Sequence, residues 1–301
     1  MISRQRGAFK NITVAVDGSP ASEAGVRYAL SLAGDDTILF FCSVVDPASA
    51  VRDIPLKAPL SPVELHAAAR AVCENGISEA QARGVSANSV IVEGHPARGI
   101  LRCAQEHRSD VVVIGSHGRT GIVRAVAGST AEEVIHLSDL PVAVAHEDDI
   151  LRAGPVAVAI DGSAASDAAL NVAIALARAI PCELHVFHVF GRADLKRIDA
   201  LGEDSAERLE HASLEAAALL EEAADRVRSS GVPFESTMLE GNPAQELLAA
   251  IERHQCACAV IGTNASSELD RLLFGSVALA LVERACVPVF VVRRAERGGT
   301  H

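Results

Sequence analysis

The sequence predicts an α/β protein made of two tandem doubly wound domains, each a five-stranded parallel sheet with helices on both faces. Short apolar runs alternate with longer amphipathic segments, a pattern typical of buried parallel strands crossed by helices. The chain also repeats itself, because Asn11–Ser19 and Pro155–Ser163 each end an apolar run in Asp-Gly-Ser. Its 301 residues are enough for two such domains. We place the domains at 1–150 and 151–301.

The elements of the first half follow from these periodicities. Apolar runs predict strands at 12–17, 37–44, 88–93, 110–115 and 142–146. Amphipathic segments predict helices at 20–33, 62–83, 97–107 and 128–138. Ser19 is a candidate N-cap and Pro20 suits the first helical position, so the first helix should begin directly after Asp17.

The segment 46–62 carries four prolines, which cannot continue a helix. We expect it to form a lid over the mouth of a binding site.

Charge and aromatic content exclude several classes of partner. The net charge of −12 disfavours nucleic acid and anionic membranes, and one Tyr with no Trp provides no stacking platform for single strands. No apolar segment follows the charged N-terminal residues, and no later run is long enough to span a membrane. We expect a cytoplasmic protein.

Cysteine and histidine spacing does not indicate a metal centre. The seven cysteines form no C-x-x-C pair, so neither a disulfide framework nor a zinc ribbon is indicated. Cys256 and Cys258 are expected to be small buried residues. His185 and His188 are three apart on a predicted strand and should point to opposite faces. The other histidines have no ligand spacing, and we predict no metal ligands and no catalytic residues.

Two glycine elements carry the predicted chemistry. Gly115 and Gly118 follow a predicted strand, and Gly128 with Ser129 comes nine residues later, opening a helix at Thr130. Glycine-rich turns bring backbone N–H groups to phosphate oxygens, and a helix N-terminus favours an anion.

Asp17 and Gly115 end the first and fourth strands, which flank the ligand crevice of a doubly wound sheet. Asp17 could accept a hydrogen bond from adenine or ribose at one end of this crevice. Glycine at such a turn is often only backbone geometry, and aspartate after a strand is often only a helix cap. The two spaced elements and their second copy favour nucleotide binding over that explanation.

With these motifs the chain resembles the universal stress protein family in its tandem form. The family's nucleotide-binding members carry Gly, two residues, Gly, nine residues, Gly and then Ser or Thr, and Gly115, Gly118, Gly128 and Ser129 match each position. The resemblance implies strand order 3-2-1-4-5, ATP with Mg²⁺ in the crevice, and a role in stress survival.

The resemblance also implies which residues contact ATP. In the first half these are Ala15, Asp17, Val44 and Ile114 around adenine and ribose, with Gly115, Gly118, Gly128, Ser129 and Thr130 around the phosphates. In the second half they are Ala159, Asp161, Val189, Ile261, Gly262, Ala265, Gly275, Ser276 and Val277.

Ala265 replaces the second glycine of the motif, and its methyl group would crowd a phosphate or strain the loop. Glu268 and Asp270 add negative charge nearby. We therefore expect the first site to bind ATP more tightly than the second.

The last strands, Pro141–His146 and Pro288–Arg293, would each be an exposed edge if left alone. The resemblance implies that they pair as an intramolecular pseudo-dimer, and a further homodimer is compatible with the sequence. The protein partner is not specified by the sequence.

Three functions remain open at this point. The first is an ATP-binding regulatory protein. The second is an enzyme, either a slow ATPase or a nucleotidyl-transfer enzyme, although no Walker A lysine is present and Val16–Pro20 lacks the loop of ATP pyrophosphatases. The third is an interaction protein that binds no nucleotide.

Overall fold

The structure is a computed structural model that describes residues 7–46, 61–116, 128–147, 149, 152–190, 205–263 and 275–293. The chain divides into two compact units, Met1–Asp149 and Ile150–His301. The predicted α/β class with tandem five-stranded parallel sheets is confirmed.

Strands and helices alternate in unit 1. Its strands are β1 (Asn11–Ala15), β2 (Ile38–Val45), β3 (Ser86–Glu93), β4 (Val111–Ser116) and β5 (Val142–His146). Its helices are α1 (Pro20–Leu32), α2 (Pro62–Ala82), α3 (Pro96–Glu106) and α4 (Ser129–Leu137).

Unit 2 repeats this alternation. Its strands are β6 (Val156–Ala159), β7 (Leu184–Phe190), β8 (Phe234–Glu240), β9 (Cys258–Thr263) and β10 (Val289–Arg293). Its helices are α5 (Ala164–Ala179), α6 (Ser205–Ser230), α7 (Pro243–Arg253) and α8 (Ser276–Arg284).

The strand order in unit 1 is β3-β2-β1-β4-β5, and in unit 2 it is β8-β7-β6-β9-β10, so both units have the expected order 3-2-1-4-5. Neighbouring strands within each unit are parallel. In each unit the order reverses beside the first strand, which creates a crevice at the carboxyl ends of the first and fourth strands.

The predicted boundaries in unit 1 differ from the observed ones by no more than two residues. Ser19 caps α1 as predicted, because its side chain accepts a hydrogen bond from the Ser22 N–H. Helix α2 begins with a reciprocal capping box between Ser61 and Glu64, with Pro62 at the start of the helix. The predicted lid lies mostly outside the described residues.

The inner strands of both units are densely buried, with Val111, Val112 and Val113 of β4 fully inaccessible, whereas β3 and β8 are largely exposed. Cys42, Cys73, Cys103, Cys256 and Cys258 are also buried, as expected of small hydrophobic residues. No described helix has both the length and the apolar character needed to cross a membrane.

Candidate functional site

The carboxyl ends of β1 and β4 lie side by side in unit 1. The two strands are parallel neighbours, with Ile12 opposite Val111 and Val14 opposite Val113. This pairing brings Asp17, just beyond β1, to the same sheet edge as Gly115 in β4. The same edge of unit 2 is formed by β6 and β9.

Asp17 lies in a tight turn between β1 and α1. Its Oδ1 accepts a hydrogen bond from the Ser19 N–H at 2.9 Å. The next residue, Gly18, has φ of 80°, a left-handed conformation that favours glycine. Asp161 makes the same contact with Ser163 at 2.9 Å. The repeated Asp-Gly-Ser sequence therefore has a structural role in both units, in addition to any contact with a ligand.

The hydrogen bonds of this turn favour the ionised form of Asp17. Burial raises the pKa of the Asp17 carboxyl, but hydrogen bonds from Ser19 and Ser22 outweigh burial, so the pKa lies below its usual value of 3.8. The side chain is nevertheless exposed and carries its full negative charge at neutral pH.

Asp17→Asn is expected to lower the free energy of unfolding by about 0.5 kcal/mol at neutral pH, a small effect because the carboxylate is exposed. Since the folded-state pKa is depressed, this stabilisation is fully present above pH 3.8 and is lost as the pH falls through the folded-state pKa. Urea unfolding of wild type and variant at neutral pH and near pH 3 measures the difference. Asp139→Asn, at another exposed aspartate, is the control. If the free energies of unfolding of wild type and Asp17→Asn differ by the same amount at both pH values, the lowered pKa of Asp17 does not stabilise the fold.

Gly115 has a packing role that the sequence does not reveal. A methyl group at this position would lie 2.0 Å from the carbonyl oxygen of Ala21 in α1. At Gly262 of unit 2 the equivalent methyl group would lie 2.4 Å from the carbonyl carbon of Ala165. The strand end and the helix start are therefore too close for any side chain. Helix packing therefore requires a glycine at this position with or without a phosphate.

The second glycine element lies at the start of a helix in both units. Gly128 is the N-cap of α4, with φ of −48° and ψ of 143°, and it provides no capping side chain. Gly275 is the N-cap of α8, with φ of −54° and ψ of 129°. Residues other than glycine adopt these angles readily. Helices α1, α2, α5 and α7 are capped by the side chains of Ser19, Ser61, Ser163 and Asn242.

At the start of α8, the described residues leave space for a methyl group on Gly275. Among them, the nearest atom to such a methyl group would be the Thr263 Oγ1, at 3.7 Å, which is an ordinary contact distance. The same distance shows that the end of β9 lies beside the start of α8. Gly275 thus provides no side chain to cap the first N–H groups of the helix, an arrangement suited to an anion.

The positions predicted to contact adenine and ribose lie at the same edge. Val44 and Val189 are half-buried near the ends of β2 and β7, and Ala15 and Ile114 are buried near the ends of β1 and β4. Val44 packs against α3, where a methyl group at Gly99 would lie 2.9 Å from its Cγ2. The turn after β3 reaches α4, since His95 Nε2 lies 3.6 Å from Glu133 Oε2.

The equivalent positions of the second half are arranged similarly. Ile261 is buried and Ala159 is half-buried, while Ser129 and Ser276 are both exposed at their helix starts. Thr130 and Val277 are half-buried in the first turns of α4 and α8. Several predicted positions lie outside the described residues, namely Gly118, Ala265, Glu268 and Asp270.

Two histidines and a glutamate that sequence spacing does not connect come together in unit 2. His185 and His188 do not share a site, because His188 Nδ1 lies 2.9 Å from the Ile160 carbonyl oxygen. However, His185 lies with Glu235 and His254, and their ligand atoms are within 4.8 Å of one another. The expectation of no metal ligands stays a prediction. The spacing of residues along the chain could not reveal ligand partners that come from distant segments. An alignment of the two halves does show that His185 and Glu235 differ from their first-half counterparts, whereas His254 does not.

Comparison with known proteins gives consistent matches across both units. The model of the universal stress protein family matches residues 8–146 and again residues 153–293. A universal stress protein of Mycobacterium tuberculosis is 31% identical over 216 residues, which is 70% of each chain. One from Mycolicibacterium smegmatis is 28% identical over 293 residues, covering 94% of this chain and 96% of its own. The crystal structure of a universal stress protein from Archaeoglobus fulgidus superposes with a TM-score of 0.71 at 20% identity, covering 97% and 98% of the two chains.

Proposed function

The chain belongs to the universal stress protein family, and from this membership we propose that it is an ATP-binding regulatory protein whose nucleotide state controls a role in stress survival. The observation that carries the proposal is the start of α4. Gly128 leaves the N-terminus of this helix without a capping side chain at the crevice edge of the sheet. A phosphate would supply the missing acceptor.

The residues of unit 1 divide into two groups in this proposal. Ala15, Asp17, Val44 and Ile114 would hold adenine and ribose at the ends of β1, β2 and β4. The backbone N–H groups of Gly115, Gly118, Gly128, Ser129 and Thr130 would donate to the phosphates. Bound ATP would supply a polyanion that carries Mg²⁺. The backbone N–H groups of these residues would bind and orient the triphosphate.

The second half would bind nucleotide more weakly. Helix α8 begins as α4 does, with an uncapped glycine and an exposed serine, so Gly275, Ser276 and Val277 do not distinguish the two sites. The difference would come from Ala265 in place of glycine and from the negative charges of Glu268 and Asp270. Asp161, Val189 and Gly262 would complete this weaker site.

Purified protein is expected to carry about one ATP per chain, because only the first loop has both glycines of its turn. The test is to denature the protein and quantify the released nucleotide by chromatography, before and after incubation with ATP and Mg²⁺. Gly118→Ala, which gives the first loop the residue of the second, should reduce the occupancy.

Two ATP per chain would show that Ala265 is tolerated and that the predicted ranking of the sites is wrong. No nucleotide in either preparation would contradict ATP binding and favour an interaction protein. Conversion of bound ATP to ADP during incubation would instead favour slow hydrolysis.

A further inference from the structure

We propose that His185, His254 and Glu235, together with Glu183, form a binding site for a divalent transition-metal ion of the zinc type. The site lies in unit 2 at the amino ends of β7 and β8, and so at the opposite edge of the sheet from the glycine elements. It is independent of the proposed nucleotide function.

The side chains converge from separate segments of the chain. His185 and Glu235 are the second residues of β7 and β8 and lie opposite each other in the sheet. His254 follows the last residue of α7, and its ring centroid lies 4.8 Å from that of His185. The buried Phe187 ring lies 5.5 Å from the His254 ring and helps to fix its position.

The distances suit a small ion. His185 Nε2 lies 3.4 Å from Glu183 Oε2 and 3.6 Å from Glu235 Oε2. Ligand atoms of a tetrahedral zinc ion are about 3.3 Å apart when the metal–ligand bonds are about 2.0–2.1 Å. The ligand atoms of His185, Glu235 and His254 all lie within 4.8 Å of one another, so small side-chain rotations would close the site.

The burial and charge of the cluster also favour a cation. The His185 side chain is 7% exposed and faces two carboxylates, whereas Glu183 and Glu235 are about half exposed. The two carboxylates beside the buried His185 ring produce a negative potential that a bound cation would offset. The exposed side of the cluster gives the ion an entry path and room for a water ligand. Two imidazoles with carboxylates match the donor preference of zinc rather than of magnesium or calcium.

The first half of the chain provides an internal comparison. Phe40 stands where His185 does, and its ring stacks on His107, the counterpart of His254, with centroids 4.2 Å apart. The residue opposite Phe40 is Asn88, at the position of Glu235. The fold therefore accepts a stacked aromatic pair without a carboxylate at this position. The second half has gained an imidazole and a carboxylate that packing does not require.

The ion would connect the edge strand β8 to β7 and to the end of α7. Because such a link exists only in the folded state, binding would raise the stability of unit 2.

The test is a calorimetric titration of chelator-treated, nucleotide-free protein with Zn²⁺. Co²⁺ is the spectroscopic probe, since its visible absorption reports low-coordinate nitrogen and oxygen ligands. We expect saturable binding of one ion per chain and a higher melting temperature. His185→Phe, which copies Phe40 of the first half, should abolish binding without disturbing the packing.

Two further variants keep the proposal testable if His185→Phe folds poorly. His254→Gln and Glu235→Asn should each weaken Zn²⁺ binding by at least the roughly 10- to 100-fold that loss of an outer-shell partner costs. The controls are His107→Gln, the first-half counterpart, and His66→Gln, whose ring contacts Glu93 at 2.7 Å. Both controls should leave the titration unchanged.

Unchanged binding in His254→Gln and Glu235→Asn would place the ion elsewhere and overturn the proposal. Binding weaker than millimolar in the wild type would also overturn it, and would leave His185 as a histidine paired with carboxylates. Neither result would affect ATP binding at the first half.

Discussion

Gly128→Asp is expected to abolish ATP binding at the first half while leaving unit 1 at least as stable as in the wild type. Gly128 caps α4 at backbone angles that aspartate adopts without strain. Aspartate is a better N-cap than glycine by a few tenths of a kcal/mol. Its carboxylate would occupy the N–H groups proposed to bind phosphate and would repel the nucleotide.

The expected loss of ATP affinity is at least about 100-fold. It corresponds to the loss of two hydrogen bonds to a charged group, at about 1.5 kcal/mol or more each. Calorimetric titration with ATP and Mg²⁺ gives the affinity, and urea unfolding gives the stability.

Two matched variants serve as controls. One separates the effect of the added charge from that of the added volume, and the other tests whether the effect is confined to the first site. Gly128→Ala adds a methyl group without charge and should weaken ATP binding much less. Gly275→Asp makes the same change at α8, where the glycine angles are similar, and should spare the first site. Unchanged ATP binding in a folded Gly128→Asp protein would rule out phosphate binding at the start of α4.

The sequence was sufficient to predict most of the fold, because the relevant signals are local. Buried parallel strands are continuous apolar runs, as in β4. Such a run can be recognised in the sequence without knowing which strands pair with it. Ser19 with Pro20 marks the start of α1 within a few residues of chain. Because the domain is duplicated, each strand and helix can be predicted independently in both halves.

The roles of individual residues depended on contacts that no local pattern contains. Gly115 reads as part of a phosphate loop, yet its closest neighbour is Ala21 in another element. His185 shows no ligand spacing, because its partners Glu235 and His254 come from later segments. In both cases the deciding distance joins residues that are close only after folding.

The contact at Gly115 has a consequence for how this motif is tested. Gly115→Ala is expected to destabilise unit 1 by about 3 kcal/mol, the upper end of the cost of overpacking, because the new methyl group would lie 2.0 Å from a backbone oxygen. Gly262→Ala should have a similar effect in unit 2, where the corresponding distance is 2.4 Å. Urea unfolding followed by circular dichroism measures both.

Gly275→Ala is the matched control for a glycine of the same motif. Among the described residues its methyl group would meet nothing closer than 3.7 Å, so the change in stability should stay within about 0.5 kcal/mol. If Gly115→Ala unfolds at the same urea concentration as the wild type, the strand end and α1 can separate at little cost, and packing does not explain the glycine. If it is destabilised as expected, loss of ATP binding in that variant reports lost structure. The phosphate contacts must then be tested at Gly128, whose backbone angles other residues also adopt.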